Sequence, residues 1–195
     1  MGLSLQKGQS LSLTKKDGGA LSKTRLGLGW DSAAPAKRGL FGKKTAEVDL
    51  DASAIFFDAN GNAVDQVWYG QLASKDGSAK HTGDNLTGAG EGDDEVILVD
   101  LSAVSPAVQN IVFVISSYSR QTFDQVQNAF CRLIDDSTPG SPEIARYQLT
   151  DAGTHTAMVM AKVGREGSGW SFKAIGERAQ GRTVMDLIPT AARSL

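Results

Sequence analysis

The amino-acid sequence predicts an all-β protein, an antiparallel β-sandwich of two sheets with a few short helices. Glycine accounts for 22 of the 195 residues and is spread along the chain. Short runs rich in Val, Ile, Phe, Thr and Trp lie between the glycines, which is typical of strands joined by tight turns. Helical periodicity is sparse. Many short strands at close spacing favour a sandwich over alternating strands and helices.

The candidate strands follow one another along nearly the whole chain. Each is rich in apolar, β-branched or aromatic residues and is separated from the next by turn-forming residues. They are Ser10–Leu13, Leu26–Trp30, Ala46–Phe57, Val64–Gly70, Glu95–Asp100, Asn110–Ser116, Phe130–Asp135, Glu143–Leu149, Ala157–Val163 and Trp170–Glu177.

The strongest turn signal is Asn60-Gly61 between two apolar runs, because both residues tolerate positive φ in a hairpin. Asp58 begins a segment with the Asp, Asn and Asn spacing of an EF-hand loop. The sixth and twelfth positions of that loop lack the required Gly and Glu. We therefore expect Asp58 to serve the hairpin.

Helices are expected to be short and few. Ser102–Val108 and Thr122–Asn128 each have the length of a turn or two, and Thr183–Ser194 predicts a short terminal helix interrupted by Pro189. Residues 33–45 read as a basic loop.

Length and composition predict a single domain over residues 1–195. One cysteine, Cys131, excludes an internal disulfide, and its apolar neighbours predict a small buried side chain. The N-terminus has no signal-peptide pattern, and the apolar run Ile111–Ile115 is far shorter than a membrane span. These features lead us to expect a cytoplasmic protein.

The near-neutral net charge of −2 conceals an uneven distribution. Residues 1–45 carry nine basic and two acidic side chains, whereas residues 81–95 carry five acidic side chains and no Lys or Arg. The second segment, called the acidic segment here, is the most informative feature of the chain.

The acidic segment has the composition of a calcium-binding loop. Its glycines allow sharp turns that direct carbonyl groups inward. Ca²⁺ takes six to eight oxygen ligands, and the absence of a His/Cys cluster disfavours zinc and copper. The predicted ligands within the segment are Asp84, Asn85, Thr87, Glu91, Asp93, Asp94 and Glu95.

Further carboxylates extend this prediction outside the acidic segment. Asp49 and Asp51 share one face of a strand, and Asp31 follows an early strand. We count Asp31 and Asp49 as candidate ligands and Asp51 as an additional one, although Asp31 and Asp49 equally suit turn capping or pairing with lysines. Seven candidate carboxylates exceed what one Ca²⁺ recruits, so we expect two ions.

Signals for catalysis are missing. The glycines of residues 39–45 lack P-loop spacing, and no nucleophile-elbow motif is present. We predict no catalytic residue, no enzymatic activity and no small-molecule substrate. Few aromatic residues lie among the basic residues of the N-terminal third, so nucleic-acid binding is not expected.

Three motifs follow one another along the chain: Gly-Leu-Gly-Trp-Asp at 27–31, Asp-Leu-Asp-Ala-Ser at 49–53, and the acidic segment followed by Val-Asp-Leu at 99–101. With these motifs the sequence resembles the TerD family of bacterial tellurite-resistance and stress proteins. The resemblance runs from Leu-Gln-Lys-Gly at 5–8 through Arg146-Tyr147 to the Trp-x-Phe-x-Ala-Ile-Gly stretch at 170–176. The family's acidic motif is similar to GDNxTGEGDGDDE, but here Ala89 stands for its first Glu and Glu91 for the Asp that follows.

The resemblance implies a cytoplasmic, calcium-binding β-sandwich with no established enzymatic activity. It implies a stress-response role linked to tellurite resistance, exerted through calcium-dependent interaction with other Ter-type stress proteins, with the inner membrane face as one place of action. The basic loop supports an alternative, calcium-dependent binding to an anionic membrane surface. Its headgroup contacts would be Lys37, Arg38, Lys43 and Lys44.

Overall fold

The computed structural model describes residues 2–15, 18–32, 49–83, 92–148 and 153–195. In chain order its elements are β1 (Leu3–Ser4), β2 (Ser10–Ser12), β3 (Lys23–Ser32), β4 (Leu50–Asp58), β5 (Ala63–Val67), β6 (Ala79–His81), β7 (Glu95–Asp100), β8 (Val108–Ser117), a 3₁₀ helix (Phe123–Gln125), β9 (Val126–Asp135), β10 (Glu143–Gln148), β11 (Ala157–Glu166), β12 (Gly169–Ala179) and α1 (Val184–Ala192).

Two six-stranded sheets form from these strands, which confirms the predicted all-β sandwich. The first sheet has the order β1-β10-β9-β3-β7-β6 and the second the order β2-β12-β11-β8-β4-β5. The pairs are antiparallel, apart from the short parallel pair of β1 and β10.

The main core lies between the two sheets, because alternate residues of each strand turn inward. In β7, for example, Glu95, Ile97 and Val99 are buried, whereas the residues between them are partly exposed. The outer face of the second sheet carries a second apolar cluster, which α1 covers with Val184 and Leu187.

The predicted hairpin is confirmed at the turn between β4 and β5. Gly61 adopts a φ of +80°. The Asp58 carboxylate accepts the backbone N–H groups of Asn60 and Asn62 at 2.9 and 2.8 Å. Asp58 therefore serves the turn, as its sequence context predicted.

Several predicted boundaries were wrong. Residues 102–107 form turns, and Val108 already begins β8. Thr122–Asn128 contains only the 3₁₀ turn, since Val126 begins β9. The strand predicted to reach Gly70 ends at Val67, where a tight turn begins. Pairing of Val108 with Asp58 and of Val126 with Ser32 ends the two predicted helical segments. Reciprocal backbone hydrogen bonds between Trp68 and Gln71 end the predicted strand.

The short edge strands β1 and β6 were not predicted, because two or three residues carry too little alternation to be recognised. The predicted terminal helix is present and spans Val184–Ala192, but the predicted interruption was wrong, because the helix continues through Pro189. The predicted basic loop and residues 46–48 lie outside the described residues.

Candidate metal centre

The last residues of the acidic segment lie flat against β3. The backbone N–H of Asp94 donates to the carbonyl oxygen of Leu28 at 2.7 Å. A Cβ at Gly27 would overlap the Asp93 carboxylate, and a Cβ at Gly29 would stand 2.7 Å from the carbonyl oxygen of Gly92. The two glycines therefore allow the acidic segment to reach the sheet.

Asp93 is held by Arg132 on the outer face of the first sheet. Arg132 Nε and Nη2 donate to the two Asp93 carboxylate oxygens at 2.7 and 3.1 Å. Gly27 pairs with Arg132 across the strands, so its missing side chain leaves room for this ion pair. The hydrogen bond to Asp93 raises the pKa of the Arg132 guanidinium, which stays charged and offsets one acidic charge.

Asp94 contacts the backbone of the first sheet, since its Oδ2 accepts the N–H of Trp30 at 2.9 Å. Glu95 turns into the interior and is fully buried. Its Oε2 accepts the N–H of Ala52 in β4 at 2.5 Å. Consecutive carboxylates thus join the two sheets at one end of the sandwich.

His81 lies beside Glu95 in the interior. Its Nε2 is 3.4 Å from Glu95 Oε2, with both side chains shielded from solvent, and its Nδ1 accepts the N–H of Gly83 at 3.1 Å. His81, the first residue of the acidic segment, thus contacts Glu95, its last residue. This contact was not predicted, because 14 positions separate the two residues and their approach depends on strand pairing.

The positions of three other predicted ligands, Asp51, Asp49 and Asp31, are determined by strands β4 and β3. Leu50 is in the core, so Asp51 lies on the opposite face of β4, as expected, but it is buried there at 3% exposure. Asp49 precedes β4 and is half-buried. The backbone of Asp31 pairs with Gln127 in β9, and its side chain lies outside the described residues, as do Asp84, Asn85, Thr87 and Glu91.

Within the described part of the chain, no group of three or more His, Cys, Asp and Glu side chains could hold a metal ion. Asp93 faces Arg132, Asp94 faces Trp30 and Glu95 faces the interior. Of the predicted ligands, those with side chains outside this part of the chain are Asp31, Asp84, Asn85, Thr87 and Glu91. The oxygen-rich donor set fits a hard cation such as Ca²⁺, and the ligand assignment stays a prediction.

Cys131 is confirmed as a buried side chain. It faces the core at 1% exposure, and burial raises the pKa of its thiol to about 12. A thiol in this environment is not a nucleophile at neutral pH.

Fold and site together define a β-sandwich whose two sheets are joined at one end by the close of an acidic segment. Residues 1–188 match the family model of the TerD domain. The chain belongs to the TerD family, as its sequence motifs indicated.

Relatives from Serratia marcescens and Bacillus subtilis are similar over nearly their whole length. The chain is 42% identical over 190 residues to tellurium resistance protein TerZ of Serratia marcescens, covering 95% of this chain and 94% of the relative. It is 40% identical over 201 residues to stress response protein SCP2 of Bacillus subtilis, covering 96% and 98%. These names describe resistance and stress proteins.

Solved structures show the same fold. The crystal structure of a homologue of telluride resistance protein TerD from Streptomyces coelicolor superposes with a TM-score of 0.69 at 22% identity, covering 86% of this chain and 95% of that one. In the described part of this chain, no helix has both the length and the apolar character needed to cross a membrane.

Proposed function

We propose that this protein is a non-enzymatic, calcium-binding stress-response protein linked to tellurite resistance, which acts in the cytoplasm through calcium-dependent interaction with partner proteins. The observation that carries the proposal is the anchoring of Asp94 to β3 and of Glu95 to β4. The two hydrogen-bond donors, Trp30 and Ala52, belong to different sheets. A change of charge in the acidic segment would therefore affect both sheets.

Electrostatics supports a bound cation. Two carboxylates about 5 Å apart repel by about 3 kcal/mol at an effective dielectric of 20. Arg132 offsets Asp93, but residues 81–95 themselves contain no Lys or Arg to offset the remaining acids. The proposed ligands are Asp84, Asn85, Thr87 and Glu91 with Asp93, Asp94 and Glu95, joined by Asp31 and Asp49. Bound calcium would neutralise their charge and tie the segment to the sandwich.

The first test is calcium-dependent stability. At free calcium of about 100 times its dissociation constant, one site adds about 2.7 kcal/mol to the free energy of unfolding. We expect a higher melting temperature in calcium than in chelator, and calorimetry should return two ions per chain. An unchanged melting temperature would refute calcium binding, and a stoichiometry near one would leave a single site.

Matched variants locate the site. Asp84→Asn removes one charge from the acidic segment and should weaken calcium binding at least tenfold, or about 1.4 kcal/mol. Asp58→Asn removes one charge from the β4–β5 hairpin, where the carboxylate serves the turn, and should leave affinity within about threefold of wild type. The reverse order would place the ion at the hairpin.

The mode of action needs a separate experiment. We expect calcium to promote cross-linking to other Ter-type stress proteins, with chelator abolishing it. Sedimentation with anionic and neutral vesicles tests the alternative of calcium-dependent membrane binding through the basic loop. Co-sedimentation with anionic vesicles, in calcium and without any partner, would favour the membrane.

A further inference from the structure

The outer face of the second sheet presents two lysines directly opposite each other. Lys162 of β11 pairs with Lys173 of β12 across the antiparallel ladder. Both side chains project from the outer face, because their neighbours along the chain lie in the core between the sheets: Ala161, Val163, Phe172 and Ala174. Strand pairing thus holds two positive charges side by side on this face.

This pairing is unfavourable for the protein alone. Like charges directly opposite each other in a sheet are destabilising. Burial, and secondarily the charge of Lys173, lowers the pKa of Lys162. Among the described residues neither lysine forms an ion pair with a carboxylate. The sheet therefore has two neighbouring cations without a carboxylate partner in the described part of the chain, although an acidic residue at one of these positions would stabilise the fold more.

Small polar residues lie on the Lys173 side of the pair, whereas Lys162 has the buried Val112 of β8 on its other side. Ser10 of β2 pairs with Lys173 on the side away from Lys162. In the next row of the outer face, Ser171 pairs with Ser12 on one side and with Gly164 on the other. The serines provide hydroxyl donors, whereas the Asn110 side chain covers Gly164, where a Cβ would stand 2.9 Å from Asn110 Oδ1.

A cavity of about 290 Å³ lies beside Lys173, between the sheet and the residues that follow α1. Lys7 and Lys173 line it together with Arg193. Glu177, the acid that also lines the cavity, lies 3.7 Å from Arg193. Because Arg193 pairs with Glu177, the cations left in the lining are Lys173 and Lys7, whose Nζ donates to the Gly176 carbonyl oxygen at 2.9 Å.

We propose that this face binds a phosphate group, held between Lys162 and Lys173 and contacted by Lys7. A phosphate carries close to two negative charges and several acceptor oxygens, which match two ammonium groups and neighbouring hydroxyls. Its charge would remove the repulsion between the lysines. Both a soluble phosphate compound and a phosphate-monoester lipid headgroup provide this chemistry. The site is separate from the proposed calcium site and needs no calcium.

The test measures binding in chelator, so that failure of calcium binding cannot affect it. Pyrophosphate is titrated by calorimetry, and vesicles of phosphatidylcholine with and without phosphatidic acid are tested by sedimentation. The variants are Lys162→Met and Lys173→Met, which keep the aliphatic stem. The control is Lys80→Met, an exposed lysine on the edge strand β6 of the other sheet.

We expect Lys162→Met and Lys173→Met each to weaken binding of at least one phosphate probe about tenfold or more, with Lys80→Met close to wild type. Without a probe, the two variants should melt no lower than wild type, because each relieves the repulsion. Binding of pyrophosphate identifies a soluble source, and binding confined to phosphatidic acid vesicles identifies a lipid source. Absence of binding to both probes, or equal losses in the control, would overturn the proposal.

Discussion

Gly27 and Asp93 show how the absence of one side chain positions a charged one. The acidic segment approaches β3 closely enough that a Cβ at Gly27 would overlap the Asp93 carboxylate. Arg132 pairs with Gly27 in the neighbouring strand and holds that carboxylate with two hydrogen bonds. Glycine is therefore required here by space, because no positive φ is involved.

We predict that Gly27→Ala destabilises the protein by about 1–3 kcal/mol, the usual cost of forcing extra atoms into a packed site. The added methyl group displaces Asp93 and weakens its ion pair with Arg132. Denaturant unfolding measures the change. Gly169→Ala is the control, because its Cβ would lie 3.9 Å from the nearest atom. Equal losses in both variants would show that strand flexibility, and not crowding at Asp93, determines the effect.

Single residues were predictable from sequence where their role is local. Asp58 and Asn60-Gly61 form their hairpin through neighbours two to four positions away. Glu95 was predicted as a ligand, but its contacts with Ala52 and His81 depend on the packing of two sheets. Arg132 was missed for the same reason, since it lies 39 positions from Asp93. Alternating glycines at 27 and 29 were the available sign of a close backbone approach.

Helix α1 shows how one element stabilises a sheet from outside. Leu187 is fully buried against the outer face of the second sheet, whereas Met185 in the same helix is 46% exposed. Leu187→Ala should lower the free energy of unfolding by about 2–5 kcal/mol through lost burial and a residual cavity. Met185→Ala should cost less than about 1 kcal/mol. Similar losses in denaturant unfolding would mean that α1 contributes through its own helicity and not through packing.

The turn before β6 is linked to the loop before β8 by Asp76. Its carboxylate accepts the hydroxyl of Ser78 at 2.6 Å and the N–H of Ser105 at 3.0 Å. Burial alone would raise the pKa of Asp76, but these hydrogen bonds outweigh it and lower the pKa to about 2. The turn is therefore stabilised by the ionised form.

A carboxyl whose folded pKa is depressed contributes stability above its unfolded pKa, near 4, and loses it as pH falls through the folded pKa. Wild-type stability should therefore decline between about pH 4 and pH 2. Asp76→Asn should flatten this decline in denaturant titrations at several pH values. Glu166→Gln, which removes an exposed carboxylate at the end of β11, should keep the wild-type slope. An unchanged slope in Asp76→Asn would assign the acid sensitivity to other groups.

In the molecule as a whole, hydrogen bonds join the two sheets at the end where the acidic segment closes. Trp30 in β3 donates to Asp94, and Ala52 in β4 donates to Glu95. The all-β architecture was predictable because the alternation of apolar and polar residues in a strand is visible within a short stretch of sequence. This bridge was not, since it depends on which strands become neighbours across the core. A cation bound to the acidic segment would therefore influence the opening of the whole sandwich.

Cys131 provides a measure of that opening. It lies in β9 at 1% exposure with a thiol pKa of about 12, so alkylation requires the strands around it to separate. When opening and closing are fast, the labelling rate follows the population of the open state. If calcium adds about 2.7 kcal/mol at 100 times its dissociation constant, labelling of Cys131 should slow about 100-fold. In Asp84→Asn at the same calcium concentration the protection should be smaller, whereas Asp58→Asn should keep it. Rapid labelling of the native protein that calcium does not change would show that β9 opens independently of the acidic segment.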